Sequence, residues 1–180
     1  MNNASFVYQH PYVLKSKKHE GKILEDLFFR EFGFIHWLMG RSGRLYVELW
    51  QHLNYLLEIS KNLKPKMLCP VCKKKTVKYF YLLPKGKVGE RYTCCDSPAC
   101  QYAVKNRYLI KQELEVSFES INKLPRKDSM DAAGLLMKKV YGLPRCFKSD
   151  TTFNLFKGAC PKPQKTIKAP EAIQLNLSLF

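Results

Sequence analysis

The order of hydrophobic and polar positions divides the 180-residue chain into four segments, and no internal repeat is present. Residues 1–63 combine aromatic-rich and leucine-rich runs, and residues 64–112 place short β-prone runs between cysteine-bearing turns. Residues 113–143 have a helical pattern, whereas residues 144–180 carry prolines among lysines and threonines. This order predicts an α+β fold with a small α/β N-terminal module, a β ribbon, a helical segment and a flexible basic tail.

The N-terminal segment shows a hairpin pattern followed by a helical pattern. Apolar residues 12–14 and 23–24 flank a polar run, which predicts a short hairpin with its turn near Glu20 and Gly21. From residue 45, leucines recur at helical spacing, so we expect an amphipathic helix that ends near Leu63. The aromatic residues expected in the core are Phe28, Phe29, Phe32, Phe34, Trp37 and Trp50.

The second segment shows strand patterns separated by turns. Residues 76–82 are rich in β-branched and aromatic side chains, which predicts a strand, and the Pro-Lys-Gly sequence at 84–86 is turn chemistry. We expect residues 88–93 to form the returning strand of a hairpin. Residues 102–110 are predicted as a third strand.

Helical patterns dominate the third segment. Residues 114–124 fit a strand in their first part and a helix later. A longer helix is expected to begin at Asp128 or Ser129, which are good N-cap residues, and to end before Gly142. The prolines and lysines of residues 144–180 predict a chain without regular structure.

The net charge of the chain indicates which kind of partner it binds. The chain has 31 Lys and Arg against 15 Asp and Glu, which gives a net charge of +16. Such an excess favours a polyanionic partner, most simply nucleic acid. Charge does not separate DNA from RNA, and we expect DNA. No apolar run is long enough to cross a bilayer and no export signal pattern is present. We therefore expect no membrane partner and a cytoplasmic location, in a nucleoid-associated or phage-encoded protein.

The strongest chemical signal is a pair of cysteine clusters. Cys69 and Cys72 are separated by two residues, and Cys94, Cys95 and Cys100 follow across the predicted hairpin. A two-residue gap lets one tight turn direct both thiolates at one ion, and a second cysteine pair at the far end of a hairpin completes a tetrahedron around Zn²⁺. Four thiolates leave no position for water, so we expect one structural Zn²⁺. Unpaired buried cysteines or a redox pair are the alternatives.

Five cysteines compete for four positions, and two resemblances bear on the fourth ligand. The segment resembles the zinc ribbons of phage late-gene activators of the Ogr/Delta type, which share Cys-Pro-x-Cys and a Glu-Arg-Tyr-x-x-Cys-x4-Cys ending, here at 90–100. It is also similar to the C-terminal ribbons of type IA topoisomerases, which carry a proline two residues before the last cysteine, as Pro98 does. The first alignment selects Cys95 and the second permits Cys94. With the first alignment, the expected ligands are Cys69, Cys72, Cys95 and Cys100.

A basic run overlaps the cysteine segment. Residues 61–91 contain ten Lys and Arg and a single acid, Glu90. Tyr79, Phe80, Tyr81 and Tyr92 are interleaved with these charges, so cations could contact phosphates while aromatic faces stack on bases. A solubilising surface over strand-core aromatics is the alternative. The expected nucleic-acid-binding residues are Lys64, Lys66, Lys73, Lys74, Lys75, Lys78, Lys85, Lys87 and Arg91.

The N-terminal segment also resembles a known small module. Gly-Lys at 21–22, Asp-Leu at 26–27 and Trp-Leu at 37–38 match the exodeoxyribonuclease X-like C-terminal domain, which is appended to DNA-processing proteins. The chain has Leu14 and Lys15 where that pattern has its first Gly-Lys. The resemblance implies a role in nucleic-acid metabolism. Packing in a core explains the Trp-Leu pair equally well.

No catalytic constellation is evident in the sequence. The nucleases associated with that module use an Asp-x-Glu motif and further acids to hold two metal ions, whereas Glu25 and Asp26 form an isolated pair typical of a helix N-terminus. The four histidines form no spaced cluster, and neither a phosphate-binding glycine loop nor a nucleophile motif occurs. We expect no enzymatic activity.

The segment 174–180 resembles the bacterial sliding-clamp-binding peptide, Gln-Leu-x-Leu-x-Leu-Phe, at all five defined positions. An extended peptide can place alternating apolar side chains into a preformed groove. A terminal strand that docks on the protein's own core is the alternative. The resemblance implies that the partner-binding residues are Gln174, Leu175, Leu177, Leu179 and Phe180.

Together these features favour a zinc-containing nucleic-acid-binding accessory protein, recruited to bacterial or phage DNA replication or repair through a sliding clamp. A zinc-ribbon transcription regulator of the phage-activator type is one alternative. A non-catalytic subunit of a nuclease or topoisomerase is another.

Overall fold

The computed structural model describes residues 8–15, 18–41 and 47–160. In these ranges the chain has a mixed α+β fold, as expected, with seven α-helices and one three-stranded sheet. The helices are α1 (Leu24–Arg30), α2 (Phe32–Met39), α3 (Val47–Ser60), α4 (Pro98–Arg107), α5 (Phe118–Asn122), α6 (Lys127–Val140) and α7 (Ser149–Ala159). The strands are β1 (Tyr79–Leu82), β2 (Thr93–Cys94) and β3 (Gln112–Glu115).

The sheet is antiparallel, and its central strand joins two hydrophobic clusters. The strand order is β2–β1–β3, and Tyr79 of β1 pairs with Cys94 on one side and Glu115 on the other. Successive side chains of a strand point to opposite faces. Phe80 therefore packs in the helical core, whereas Tyr81 packs in a smaller cluster around the cysteines.

The helical core is built around α1, which contacts α2, α6 and α7. Phe28 of α1 is fully buried, and its ring centroid lies 5.2 Å from that of Phe118 and 5.4 Å from that of Phe156. A Cβ at Gly134 of α6 would lie 3.1 Å from the carbonyl oxygen of Phe28. Glycine at this position allows α1 and α6 to approach closely, because a Cβ would require the neighbouring backbone to shift by a few tenths of an ångström.

The hairpin predicted before α1 is confirmed. Val13 and Ile23 form an antiparallel bridge, and the Leu14 carbonyl accepts a hydrogen bond of 3.0 Å from the Gly21 backbone N–H. Gly21 has a φ of +77°, a left-handed conformation that glycine adopts at low cost and other residues rarely adopt. This geometry explains why the turn falls at Glu20 and Gly21.

The strand predicted at residues 102–110 is wrong, because this stretch belongs mostly to α4. Ser97 has extended backbone angles at the N-cap, Pro98 occupies the first turn, and the Gln101 N–H donates to the Ser97 carbonyl at 3.0 Å. This helix start overrides the β-prone character of the residues that follow. Of residues 98–107, only Cys100 and Val104 are buried.

The other strands of the second segment are shorter than predicted. β1 covers only the second half of 76–82, because Thr76 pairs with Leu68 in a separate bridge. The returning strand is limited to Thr93 and Cys94, since residues 90–92 form a 3₁₀ turn. The change from strand to helix expected within 114–124 is present as β3 followed by α5.

The prediction of irregular chain from residue 144 onward is wrong for residues 149–159, which form α7. Phe156 is fully buried, and the Thr152 hydroxyl donates to the Asp26 carboxylate of α1. Contacts with α1 and α3 stabilise this helix, whose composition alone favours a loop. The predicted clamp-binding residues lie outside the described part of the chain; they are Gln174, Leu175, Leu177, Leu179 and Phe180.

The expected aromatic core is correct with one exception. The three phenylalanines of residues 28–32 are fully buried, and Phe34 and Trp50 are partly buried against the same core. Trp37 is 47% exposed, so its assignment to the core is wrong. The reason is that α2 buries the side that carries Ile35 and leaves the indole at the surface.

Candidate metal centre

The first cysteine turn is fixed by its own backbone. The Lys73 N–H donates to the Cys69 carbonyl at 2.8 Å, and the Cys69 N–H donates to the Lys75 carbonyl at 2.8 Å. Lys73 has a φ of +54°, which reverses the chain directly after Cys72. This reversal directs the side chains of Cys69 and Cys72 towards one point.

The second pair of cysteines approaches from the sheet and from a helix. Cys95 directly follows β2, and Cys100 lies in the first turn of α4. Cys69, Cys95 and Cys100 are buried, whereas Cys72 is partly exposed. The candidate centre therefore lies close to the protein surface, on the side of Cys72.

The four sulfur atoms meet the geometric requirements of one ion. The sulfurs of Cys69, Cys72, Cys95 and Cys100 lie within 4.8 Å of one another, and those of Cys72 and Cys95 are 3.8 Å apart. A tetrahedral Zn²⁺ with Zn–S bonds of about 2.3 Å requires sulfurs about 3.8 Å apart. The set fits this requirement, so these cysteines could hold one metal ion.

Neighbouring Cys94 has a different environment from Cys95. Cys94 is fully buried, and its sulfur lies 3.3 Å from the Tyr81 hydroxyl, within the smaller cluster beneath the sheet. Side chains of adjacent residues in an extended chain point in opposite directions, so only one of the two cysteines reaches the other three. In this structure that residue is Cys95.

The two remaining cysteines, Cys146 and Cys160, also lie outside the cluster. Cys146 is exposed on the loop between α6 and α7. Cys160 is partly buried, with its sulfur 3.5 Å from the Tyr55 hydroxyl.

Local hydrogen bonds and burial act in opposite directions on the thiols of the cluster. The backbone N–H groups of Lys75 and Lys74 lower the pKa of Cys72 to about 6, because they stabilise the thiolate. Burial raises the pKa of Cys100 to about 12 and also raises that of Cys95. A bound cation would displace the protons of the buried thiols, so metal binding here is coupled to proton release.

The predicted cationic residues are exposed, but they are not all free. Lys75 forms an ion pair of 3.0 Å with Asp96, and the Lys78 ammonium lies 5.7 Å from the centre of the Tyr79 ring. The exposed set comprises Lys64, Lys66, Lys73, Lys74, Lys75, Lys78, Lys85, Lys87 and Arg91.

The aromatic residues interleaved with these cations do not form a stacking surface. Phe80 and Tyr81 are fully buried, one on each face of β1. Tyr79 and Tyr92 are partly buried in the cluster around the cysteines, and the Tyr92 ring packs edge-on against Tyr108. For Phe80 and Tyr81 the alternative, strand-core aromatics beneath a charged surface, is therefore the correct one.

The cysteine-bearing ribbon is attached to the helical core through the C-terminal half of α6. The Val140 carbonyl accepts backbone hydrogen bonds from Lys66 at 2.7 Å and from Met67 at 3.0 Å. The Lys139 ammonium pairs with the Glu90 carboxylate of the 3₁₀ turn before β2. These contacts orient the candidate centre relative to α6.

Glu25 is a buried polar group that the sequence pattern does not indicate. It lies in the first turn of α1, as expected of a helix N-terminal charge, yet it is fully buried. Its carboxylate accepts a hydrogen bond of 2.7 Å from the Tyr8 hydroxyl and lies 3.1 Å from Nε2 of His52. The sequence separation of these three residues gave no signal of the cluster.

Comparison with protein-family models, with curated proteins and with solved structures finds no match to this chain. In the described ranges the longest helices have 14 residues, and none is both long and apolar enough to cross a membrane.

Proposed function

We propose that this chain is a non-enzymatic accessory protein of nucleic-acid metabolism, built around one structural Zn²⁺. The observation that carries the proposal is the convergence of four cysteine sulfurs within 4.8 Å. Four thiolates fill the tetrahedron and leave no position for a catalytic water. The small cluster has seven buried residues, and four of these are cysteines, which is the situation in which a metal replaces a hydrophobic core.

The lysines next to the metal ligands are the proposed contacts to nucleic acid. Lys73, Lys74 and Lys75 follow Cys72 directly, and all three are exposed. A turn held by a metal and by two backbone hydrogen bonds would present these charges in a fixed arrangement, so little conformational entropy would be lost on binding phosphate. The net charge of +16 supports a polyanionic partner.

Reversal of the charges at Lys73, Lys74 and Lys75 to Glu tests this surface. We expect affinity for DNA to fall more than about 10-fold, because three phosphate contacts are lost. The slope of log K against log salt should become shallower by about 2 to 3. Fluorescence anisotropy with single- and double-stranded DNA and RNA, measured over a salt series, provides the readout.

A matched control separates local contact from total charge. Lys123, Lys148 and Lys157 are exposed on the helical part, and their reversal to Glu changes the net charge by the same amount. This control should bind within about threefold of the original protein, since it lacks the proposed contacts. Equal losses in the two variants, at unchanged zinc content, would show that the charge effect is not localised at the cysteine turn.

The second part of the proposal concerns recruitment by a bacterial-type sliding clamp through residues 174–180. Its support is the five-position match of the sequence to the clamp-binding peptide. In such peptides alternating apolar side chains enter a preformed groove. Leu179 and Phe180 would fill the main hydrophobic pocket, and Gln174 would donate or accept hydrogen bonds at the other end.

Deletion of residues 174–180 should abolish binding to an immobilised clamp and leave zinc content and DNA affinity unchanged. A synthetic 174–180 peptide should compete for the clamp at about micromolar concentration or weaker, as is usual for a short peptide. Replacement of Leu179 and Phe180 by Ala should remove most of this affinity, and a peptide of scrambled order is the control. A large drop in melting temperature on deletion, without clamp affinity in the peptide, would instead assign the segment to the fold.

A further inference from the structure

A cleft of about 1330 Å³ lies on the helical part of the molecule, away from the cysteines. Its walls are the N-terminal hairpin, α2, the beginning of α3 and the beginning of α6. Apolar atoms form much of the lining, through side chains such as Leu38, Leu49 and Met130. A cleft of this size is large enough to hold a nucleotide.

Three aromatic rings lie in a row along one wall of the cleft. The Trp37 indole lies nearly parallel to the Phe34 ring, with 5.6 Å between centroids and an angle of 19°. The Phe34 ring is in turn 4.0 Å from the ring of His19, which is only 2% exposed. Buried contacts therefore hold the rings of His19 and Phe34 in place, while the Trp37 side chain is 47% exposed.

The outer face of the indole is covered by a group that a ligand can displace. Arg41 is exposed, and its guanidinium carbon lies 4.4 Å from the centre of the Trp37 ring. Phe34 precedes Trp37 by one helical turn and Arg41 follows it by one turn, so the two flank the indole. Stacking of a base on an aromatic ring is generally stronger than an exposed cation–π contact. The displaced guanidinium would remain close enough to contact phosphate.

Cations surround these rings. Lys15, Lys18 and Lys127 line the cleft, and none of them forms an ion pair with a carboxylate of the described residues. Two acids also line it, but the Glu31 carboxylate is paired with Lys22 at 2.9 Å, which leaves Glu48. The balance of charge is therefore complementary to an anionic ligand.

We propose that this cleft binds an unpaired base of a single-stranded nucleic acid, with Trp37 as the stacking platform and Lys15, Lys18 and Lys127 as contacts to the adjoining phosphates. The proposal rests on the nucleic-acid function proposed above and specifies the form of the substrate. An indole inside a cleft can meet the face of a base only where the base is not paired in a duplex. Single strands should therefore be preferred to duplexes of the same sequence.

Tryptophan fluorescence gives a direct test, because the chain has only two tryptophans. A Trp50→Phe variant leaves Trp37 as the sole reporter. Titration with unlabelled oligothymidylate of about 12 nucleotides should quench its emission, with saturation at the concentrations at which anisotropy reports binding. The corresponding duplex should produce much weaker quenching.

Substitution in the otherwise native chain gives the second readout. Trp37→Ala should weaken single-strand binding by about 10-fold, the usual effect of losing one stacked base, whereas Trp37→Phe should lose less. Tyr102→Ala is the matched control, because Tyr102 is 69% exposed on α4 and lies outside the cleft. It should bind as the native protein does.

The outcomes distinguish this proposal from the broader one. If the oligonucleotide binds without changing Trp37 fluorescence, and Trp37→Ala binds equally well, the cleft proposal is wrong while nucleic-acid binding stands. If the native protein binds no nucleic acid at low salt, the broader proposal is wrong and this one falls with it. Two other outcomes would assign the cleft to a protein contact instead. The first is a change of oligomeric state in Trp37→Ala without loss of single-strand affinity. The second is a shift of Trp37 emission on deletion of residues 161–180, again without loss of single-strand affinity.

Discussion

Replacement of Cys95 by Ser should abolish metal binding, whereas replacement of its neighbour Cys94 should leave one Zn²⁺ per chain. The Cys95 sulfur belongs to the four-sulfur cluster, and the Cys94 sulfur contacts the Tyr81 hydroxyl instead. In isolated zinc-finger peptides a structural Zn²⁺ contributes on the order of 10 kcal/mol. Loss of one thiolate is therefore expected to unfold the ribbon.

Elemental analysis of protein purified without chelator measures the zinc content, and limited proteolysis reports on the fold of residues 64–112. Cys69→Ser and Cys100→Ser should behave as Cys95→Ser does. Cys146→Ser, at an exposed thiol far from the cluster in sequence, should retain both the metal and protection from proteolysis. Loss of zinc in Cys94→Ser with retention in Cys95→Ser would reverse the assignment, and absence of zinc from the native protein would refute the metal site.

Replacement of Phe118 by Ala should lower the free energy of unfolding by about 3–5 kcal/mol, the usual cost of removing a buried phenylalanine. Phe118 is 1% exposed, and its ring lies 5.2 Å from that of Phe28 and 6.3 Å from that of Phe156. The cavity left by truncation would be enclosed by aromatic rings from several helices, which limits how far it can collapse.

Urea denaturation monitored by circular dichroism measures this effect. Tyr102→Ala, an exposed aromatic truncation, should change stability by less than about 0.5 kcal/mol. Zinc content should be unchanged in Phe118→Ala, because the ring packs in the helical core and not around the cysteines. A loss below about 1 kcal/mol would mean that the ring is not a central part of the core.

The features that the sequence predicted correctly depend on short-range chemistry. The two-residue gap between Cys69 and Cys72 predicts a tight turn and a metal site, whereas the choice of Cys95 over Cys94 rests on the resemblance to the phage-activator ribbons. Gly21 similarly fixed the hairpin turn, because the turn requires a left-handed residue.

The features that were missed depend on long-range packing or on competing local signals. α7 forms because Thr152 and Phe156 meet α1, more than a hundred residues earlier in the chain, and no local pattern records that contact. In α4 the helix start signal of Ser97 and Pro98 competes with the β-prone residues that follow it, and in the folded chain the start signal prevails. The exposure of Trp37 could not be predicted, because its residue type favours a core position in the absence of a known partner surface.

The ribbon is inserted between two parts of the helical core, and this order affects folding during synthesis. α1 carries Phe28 and Phe29, whereas their partners on α6 and α7 are made more than a hundred residues later. At the usual rate of translation, the time between synthesis of these two residues and synthesis of α6 and α7 is on the order of 10 s. The ribbon, residues 64–112, is synthesised before α6. Helices α3 and α5 are in contact in the finished fold, and early metal uptake would bring them close together. It would thereby shorten the loop that the late helices must close. Zinc supply would then affect how quickly the late helices dock on the nascent core once they are made.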